Sequence, residues 1–183
     1  MLRFCFLFVL ISCTSTTTNI DKSESQNGSP PQSMRWRQCS LPAWIILDDG
    51  LSTYEPVVIA AIKEWNDATQ IKLFTYGGVS DVDNMDVPAP FFTITQNDLG
   101  NNCGHTKIYG HEGNLCIWSA KIEFSFGCFD SFPNTIRHEL GHLLGLADVR
   151  DVEYNGIMYF HVRHMTNISK EEANLVRSFY TNN

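Results

Sequence analysis

No run of basic residues occurs anywhere in this 183-residue chain, and Lys and Arg (13 together) are outnumbered by Asp and Glu (20). At a formal net charge of −7 the chain lacks the cationic footprint that gathers phosphates, so a nucleic-acid partner and strong attraction to anionic lipid are not expected. Long apolar runs are missing too. The one continuous stretch, at the N-terminus, covers about eight residues, whereas a membrane-crossing helix needs about 20. No internal repeat is visible, which sets aside solenoids and propellers. What is present is ordinary globular material: 43% hydrophobic and 18% charged residues, enough chain for one domain with a core that does not depend on metal or disulfides to fold.

The N-terminal apolar stretch follows Arg3 and has the layout of a secretory signal. It closes with Leu10-Ile11-Ser12-Cys13, which resembles the bacterial lipoprotein box. That resemblance implies removal of residues 1–12, a lipidated Cys13 that attaches the chain to a membrane, and an exported, cell-envelope location. Residues 13–33, rich in Ser, Thr, Asn, Gln and Pro, read as a tether, and residues 34–183 as the folded unit, with a monomer as the default state. Cys39, Cys103, Cys116 and Cys128 then remain in an exported domain, which suggests two disulfides among three connectivities. Cys103–Cys116, closing a short hairpin-like loop, and Cys39–Cys128 are the favoured pairs.

Periodicity places a strand at Ile45-Ile46-Leu47 and a helix from Tyr54 to Ala68, with Pro56 in its first turn. A second strand is expected at Ile71–Phe74, then a Gly/Asp/Pro loop from Gly77 to Pro90. Further strands are expected at 91–95, 105–109 and 115–125. A helix follows from Ser131, a candidate cap, to Leu146, then an irregular stretch. The final helix starts at Ser169, where Glu172 completes a capping box. The order is α+β.

The chemistry concentrates in His138-Glu139-Leu140-Gly141-His142-Leu143-Leu144-Gly145-Leu146-Ala147-Asp148. His138 and His142, four apart, share one helix face, and two imidazoles so placed can reach one Zn²⁺. Glu139 is turned about 100° away, which sets its carboxylate beside the metal as a base. Ile136, Leu140, Leu143 and Leu144 form the opposite, core-facing stripe. Gly145 can end the helix in the left-handed conformation and turn the chain back, so that Asp148 supplies a third ligand.

With Gly156-Ile157-Met158-Tyr159 downstream, the chain resembles the metzincin zinc peptidases, whose motif is His-Glu-x-x-His-x-x-Gly-x-x-His/Asp followed by a methionine turn. Asp in place of the third His is similar to the snapalysin branch, and Met-Tyr is similar to the matrixin turn. The resemblance implies a twisted, mostly parallel sheet of about five strands with an active-site helix, a Met-turn and a C-terminal helix. It also implies an exported zinc endopeptidase in which His138, His142 and Asp148 hold one zinc and Glu139 takes a proton from zinc-bound water. Protein or peptide substrates would lie along an edge strand, for which 105–109 is the candidate, and residues 151–164 would shape the S1′ pocket. Tyr159 is not assigned as a ligand, because astacin-like enzymes place their metal-reaching Tyr two residues after the Met, where this chain has Phe160.

Competing readings remain beside these. His161, His164 or Asp151 could replace Asp148 as third ligand. His105 and His111 could hold a structural zinc, and Asp81, Asp83, Asn84 and Asp86 a calcium, although the latter spacing lacks the EF-hand glycine and glutamate. Cys39 could cap the zinc, but that would leave an odd cysteine. The alternative function is a non-catalytic surface lipoprotein that binds a protein partner and keeps zinc for structure.

Overall fold

Apolar side chains at alternating positions make Ala43–Asp48 a strand with Ala43, Ile45 and Leu47 wholly buried. A 3₁₀ segment leads from it into α1, Glu55–Thr69, whose Val58, Ala61, Ile62 and Trp65 recur at helical spacing and are buried. The computed structural model describes residues 41–81, 91–100, 102–110, 117–151, 153–159 and 167–181. Within them are three α-helices and one mixed sheet of five strands: β1 (Ala43–Asp48), β2 (Phe74–Ser80), β3 (Phe91–Asn97), β4 (Gly104–Gly110) and β5 (Ile117–Ser125). Their order across the sheet is β2-β1-β3-β5-β4. The first three neighbouring pairs are parallel, and β4, at one edge, runs antiparallel to β5. The α+β class and the mostly parallel five-stranded sheet are as expected. No helix among the described residues is long and apolar enough to cross a membrane.

α2 (Phe132–Leu143) and α1 share one hydrophobic core with Phe92, Ile94, Ile122 and Phe124 of the sheet. Phe132 anchors the start of α2 edge-on against Phe124, ring centroids 4.4 Å apart. The two helices are tied directly: the Trp65 indole donates to the Arg137 carbonyl at 2.9 Å, and the Arg137 guanidinium pairs with Glu64. α3 (Lys170–Thr181) packs on α1, where Arg177 donates to the Ala68 and Thr69 carbonyls and so places a cation at the negative end of the α1 dipole.

Three local expectations need correction. β2 starts at Phe74, not Ile71, because Asn66 of α1 holds the approach: its Oδ1 accepts from the Leu73 and Phe74 amides (2.8 and 3.1 Å) and its Nδ2 donates to the Phe74 carbonyl (3.0 Å). The strand then continues through Gly77 and Gly78, which had read as loop. The β1–β2 register shifts there, Ile45 facing Tyr76 and Ile46 facing Gly78, so the glycines form a β-bulge, with Gly78 at φ +107°. Third, the favoured disulfide pairs are not the ones formed: Cys103 is bonded to Cys128, with Cα atoms 5.4 Å apart. The antiparallel β4–β5 register explains this. Cys103 immediately precedes β4, and its carbonyl accepts from the Ser125 amide at 3.0 Å, three positions before Cys128. Cys39 and Cys116 lie outside the described residues.

Replacing Asn66 with Ala removes the side-chain partner of two amides and a carbonyl at the start of β2, of which the Leu73 amide keeps its bond to the Ile71 carbonyl. A loss of about 1–3 kcal/mol in unfolding free energy is expected by denaturant titration. A change indistinguishable from zero would show that the Asn66 contacts do not organise β2.

Candidate active site

α2 carries the histidine pair because its apolar stripe fixes its rotation: Ile136, Leu140 and Leu143 are fully buried, as is Leu144 just beyond the helix. Its N-terminus is not capped by the Ser131 side chain as expected. The Ser131 hydroxyl donates instead to the Cys128 carbonyl (2.9 Å), and the Thr135 hydroxyl reaches back to the Ser131 carbonyl (3.0 Å). At the other end the helix closes in a Schellman turn. The Leu146 amide bonds the Gly141 carbonyl and the Gly145 amide the His142 carbonyl, with Gly145 left-handed at φ +92°.

This turn has a second use. The Leu146 carbonyl accepts from Nδ1–H of His142 at 2.9 Å. His138 is held in the same manner by the Ile157 carbonyl, at 2.8 Å. Both rings therefore spend Nδ1 on backbone and present Nε2 inward. Asp148, just past the turn, stands with Oδ1 3.1 Å from His138 Nε2 and 3.4 Å from His142 Nε2. Its strand-like neighbour Val149 donates to the Met158 carbonyl at 2.7 Å, which joins the post-helix segment to the turn that carries Met158.

Glu139 completes the group: its carboxylate and the two imidazoles offer donor atoms that lie within 4.8 Å of one another. It is nearly buried, and the Thr106 hydroxyl on edge strand β4 donates to its Oε2 at 2.6 Å. A Cβ at Gly104 would collide with Oε1, so the glycine admits the carboxylate between β4 and α2. Gly141 has the same role beneath the helix, where a Cβ would strike Met158 Sδ and crowd Trp65. Neither Thr106 nor the two glycines was picked out from the sequence. Thr106 lay inside the expected edge strand, but which face it used depended on the pairing of β4 with β5.

The donor set fits a zinc ion. Two neutral imidazoles with Nδ1–H committed would aim lone pairs at a carboxylate oxygen, and such an arrangement of acceptors is satisfied only by positive charge between them. The ionisation of the groups reflects this demand. Burial by itself would lower the His142 pKa, yet the hydrogen bond to Asp148 and the charges of Glu139 and Asp148 outweigh it and raise the pKa to about 9. Burial also works against the Asp148 charge, but the hydrogen bonds and charges of His138 and His142 hold its carboxyl well below the usual range.

Of the rival ligands, Asp151 is exposed and accepts from the Glu153 amide in a local turn. His105 projects from β4 near Glu123, at 3.8 Å, on the sheet face opposite Thr106. His111, Asp83, Asn84, Asp86, Phe160, His161 and His164 lie outside the described residues.

No protein-family model and no curated protein matches the chain. Among solved structures it is similar to a crystal structure of metalloproteinase-II from Bacteroides fragilis, at 15% identity and a TM-score of 0.48 over 85% of this chain. The chain spans 59% of that protein's length.

Because the folded-state pKa of His142 is raised, its charge stabilises the metal-free fold fully below its ordinary value of 6.5, and this contribution is lost as pH rises through about 9. Metal-free protein should therefore lose thermal stability across that window. Zinc binding at pH 7 should release protons, seen by calorimetry in buffers of different ionisation enthalpy. A proton-neutral binding event at pH 7 would contradict the assigned charge state.

Proposed function

We propose that the chain is a metzincin-like, zinc-dependent endopeptidase, exported and tethered to a membrane through a lipidated Cys13. The observation that supports this most is the separation of roles among the acidic groups. One carboxylate, Asp148, faces both Nε2 atoms, while the other, Glu139, is held to one side by Thr106. In this reading His138, His142 and Asp148 hold the metal and Glu139 is the general base. A zinc ion there would supply a Lewis acid that polarises the scissile carbonyl and acidifies water, at a net site charge of +1 because one ligand is a carboxylate.

The protein's own residues do the remaining work. Glu139 accepts a proton as water oxygen joins the carbonyl carbon, then returns it to the amine nitrogen as the C–N bond breaks. The Thr106 hydroxyl keeps the carboxylate from rotating away and leaves it acceptor capacity for that proton. Edge strand β4, unpaired on its outer side among the described strands, supports pairing with the main chain of an extended peptide. A structural zinc in a partner-binding lipoprotein would have no use for Glu139 or for its dedicated hydroxyl donor, which is why the catalytic reading is preferred.

Glu139→Ala should retain one zinc per chain and lose cleavage of a denatured protein such as casein by about 100-fold or more. Thr106→Val should also keep zinc, with turnover reduced roughly 10- to 100-fold for loss of one hydrogen bond to a charged group. Undiminished cleavage by Glu139→Ala would remove Glu139 from the mechanism.

A further inference from the structure

Glu172 does more than cap a helix. The expected capping box forms: Glu172 Oε2 accepts from the Ser169 amide (2.6 Å), and the Ser169 hydroxyl accepts from the Glu172 amide (3.1 Å). Yet Glu172 is only 3% exposed, and the other oxygen of its carboxylate is committed elsewhere. Oε1 accepts from the Tyr154 hydroxyl and from the Met158 amide, both at 2.7 Å. Gly156 makes room for this, since a Cβ there would lie 2.6 Å from Oε1 and 2.7 Å from the Tyr154 ring.

The Met158 amide belongs to the same peptide unit as the Ile157 carbonyl, and that carbonyl is the acceptor for Nδ1–H of His138. One peptide group is thus gripped from both sides, by a buried carboxylate at its N–H and by an imidazole at its C=O. We infer that Glu172 is a positioning residue for the metal-binding histidine, acting on His138 through the Ile157–Met158 peptide. A carboxylate on the N–H end polarises the peptide and makes its oxygen a stronger acceptor. Nδ1–H is then held more firmly, and Nε2 becomes a better donor to a cation. The arrangement is a carboxylate–histidine pair with a peptide unit inserted between the partners. A helix cap alone needs neither the Met158 contact nor Tyr154, so those contacts distinguish the two roles.

This inference rests on the zinc-binding reading above, and the experiment separates the two. Zinc affinity of the full chain is measured by competition with a chromophoric chelator for wild type, Glu172→Gln and Ser169→Ala. Ser169→Ala breaks the other half of the capping box and leaves both Oε1 contacts in place. Glu172→Gln should weaken zinc binding about tenfold or more, as loss of carboxylate support for a metal-bound histidine does. Ser169→Ala should remain within about twofold of wild type at a comparable loss of Tm. Equal affinities for wild type and Glu172→Gln, or equal weakening in both variants, would overturn the role of Glu172 alone. No zinc on wild type would overturn the metal site and this inference together. Should Glu172→Gln not fold, amide NMR of wild type decides. Zinc loading should move the Met158 amide proton and leave that of Ser169 in place, and an unmoved Met158 signal would refute the coupling.

Discussion

The convergence of His138, His142 and Asp148 depends on how closely α2 approaches the segment beneath it, and Gly141 sets that approach. The absence of a Cβ lets Met158 Sδ and the Trp65 indole lie directly against the helix backbone, one residue before His142. A side chain at this position would push the helix away from the turn that carries Met158. The Ile157 carbonyl would then no longer meet His138, and Asp148, tied to the same turn through Val149, would move off both imidazoles. A backbone contact thereby controls the convergence of side chains from two segments that are distant in sequence.

Orientation of the histidines is achieved almost wholly with main chain. His142 is held by the carbonyl that its own helix-terminating turn exposes, and His138 by the Ile157 carbonyl. Backbone acceptors cost no side-chain entropy and do not titrate, so they fix the inward face of each ring at any working pH. The carboxylates of Asp148 and Glu139 lie on the inner side, toward the two imidazoles. The buried Glu172 stands one peptide away from His138 and links α3 to the site.

Much of this was legible in the sequence because it is local. The spacing of His138, Glu139 and His142, the apolar stripe behind them, the left-handed Gly145 and the Ser169–Glu172 capping box each depend on a few neighbouring residues, and all take the expected form. The failures are of two kinds. Gly77 and Gly78 carry the signal of a loop, but a bulge uses the same residues inside a strand, and only pairing with β1 decides between them. Cys103–Cys128, Thr106 and the second oxygen of Glu172 depend on the register of β4 with β5 or on contacts between segments far apart in the chain, which no local pattern encodes.

The proposed function requires that two imidazoles and Asp148 form the metal site while Glu139 stays unligated as the base. Anomalous diffraction at the zinc edge from crystals of the zinc-loaded protein tests it most directly. A single strong peak is expected within bonding distance of His138 Nε2, His142 Nε2 and Asp148, with Glu139 still hydrogen-bonded to Thr106. A peak bonded to Glu139 in place of Asp148, or a site closed by a fourth protein ligand, would contradict it.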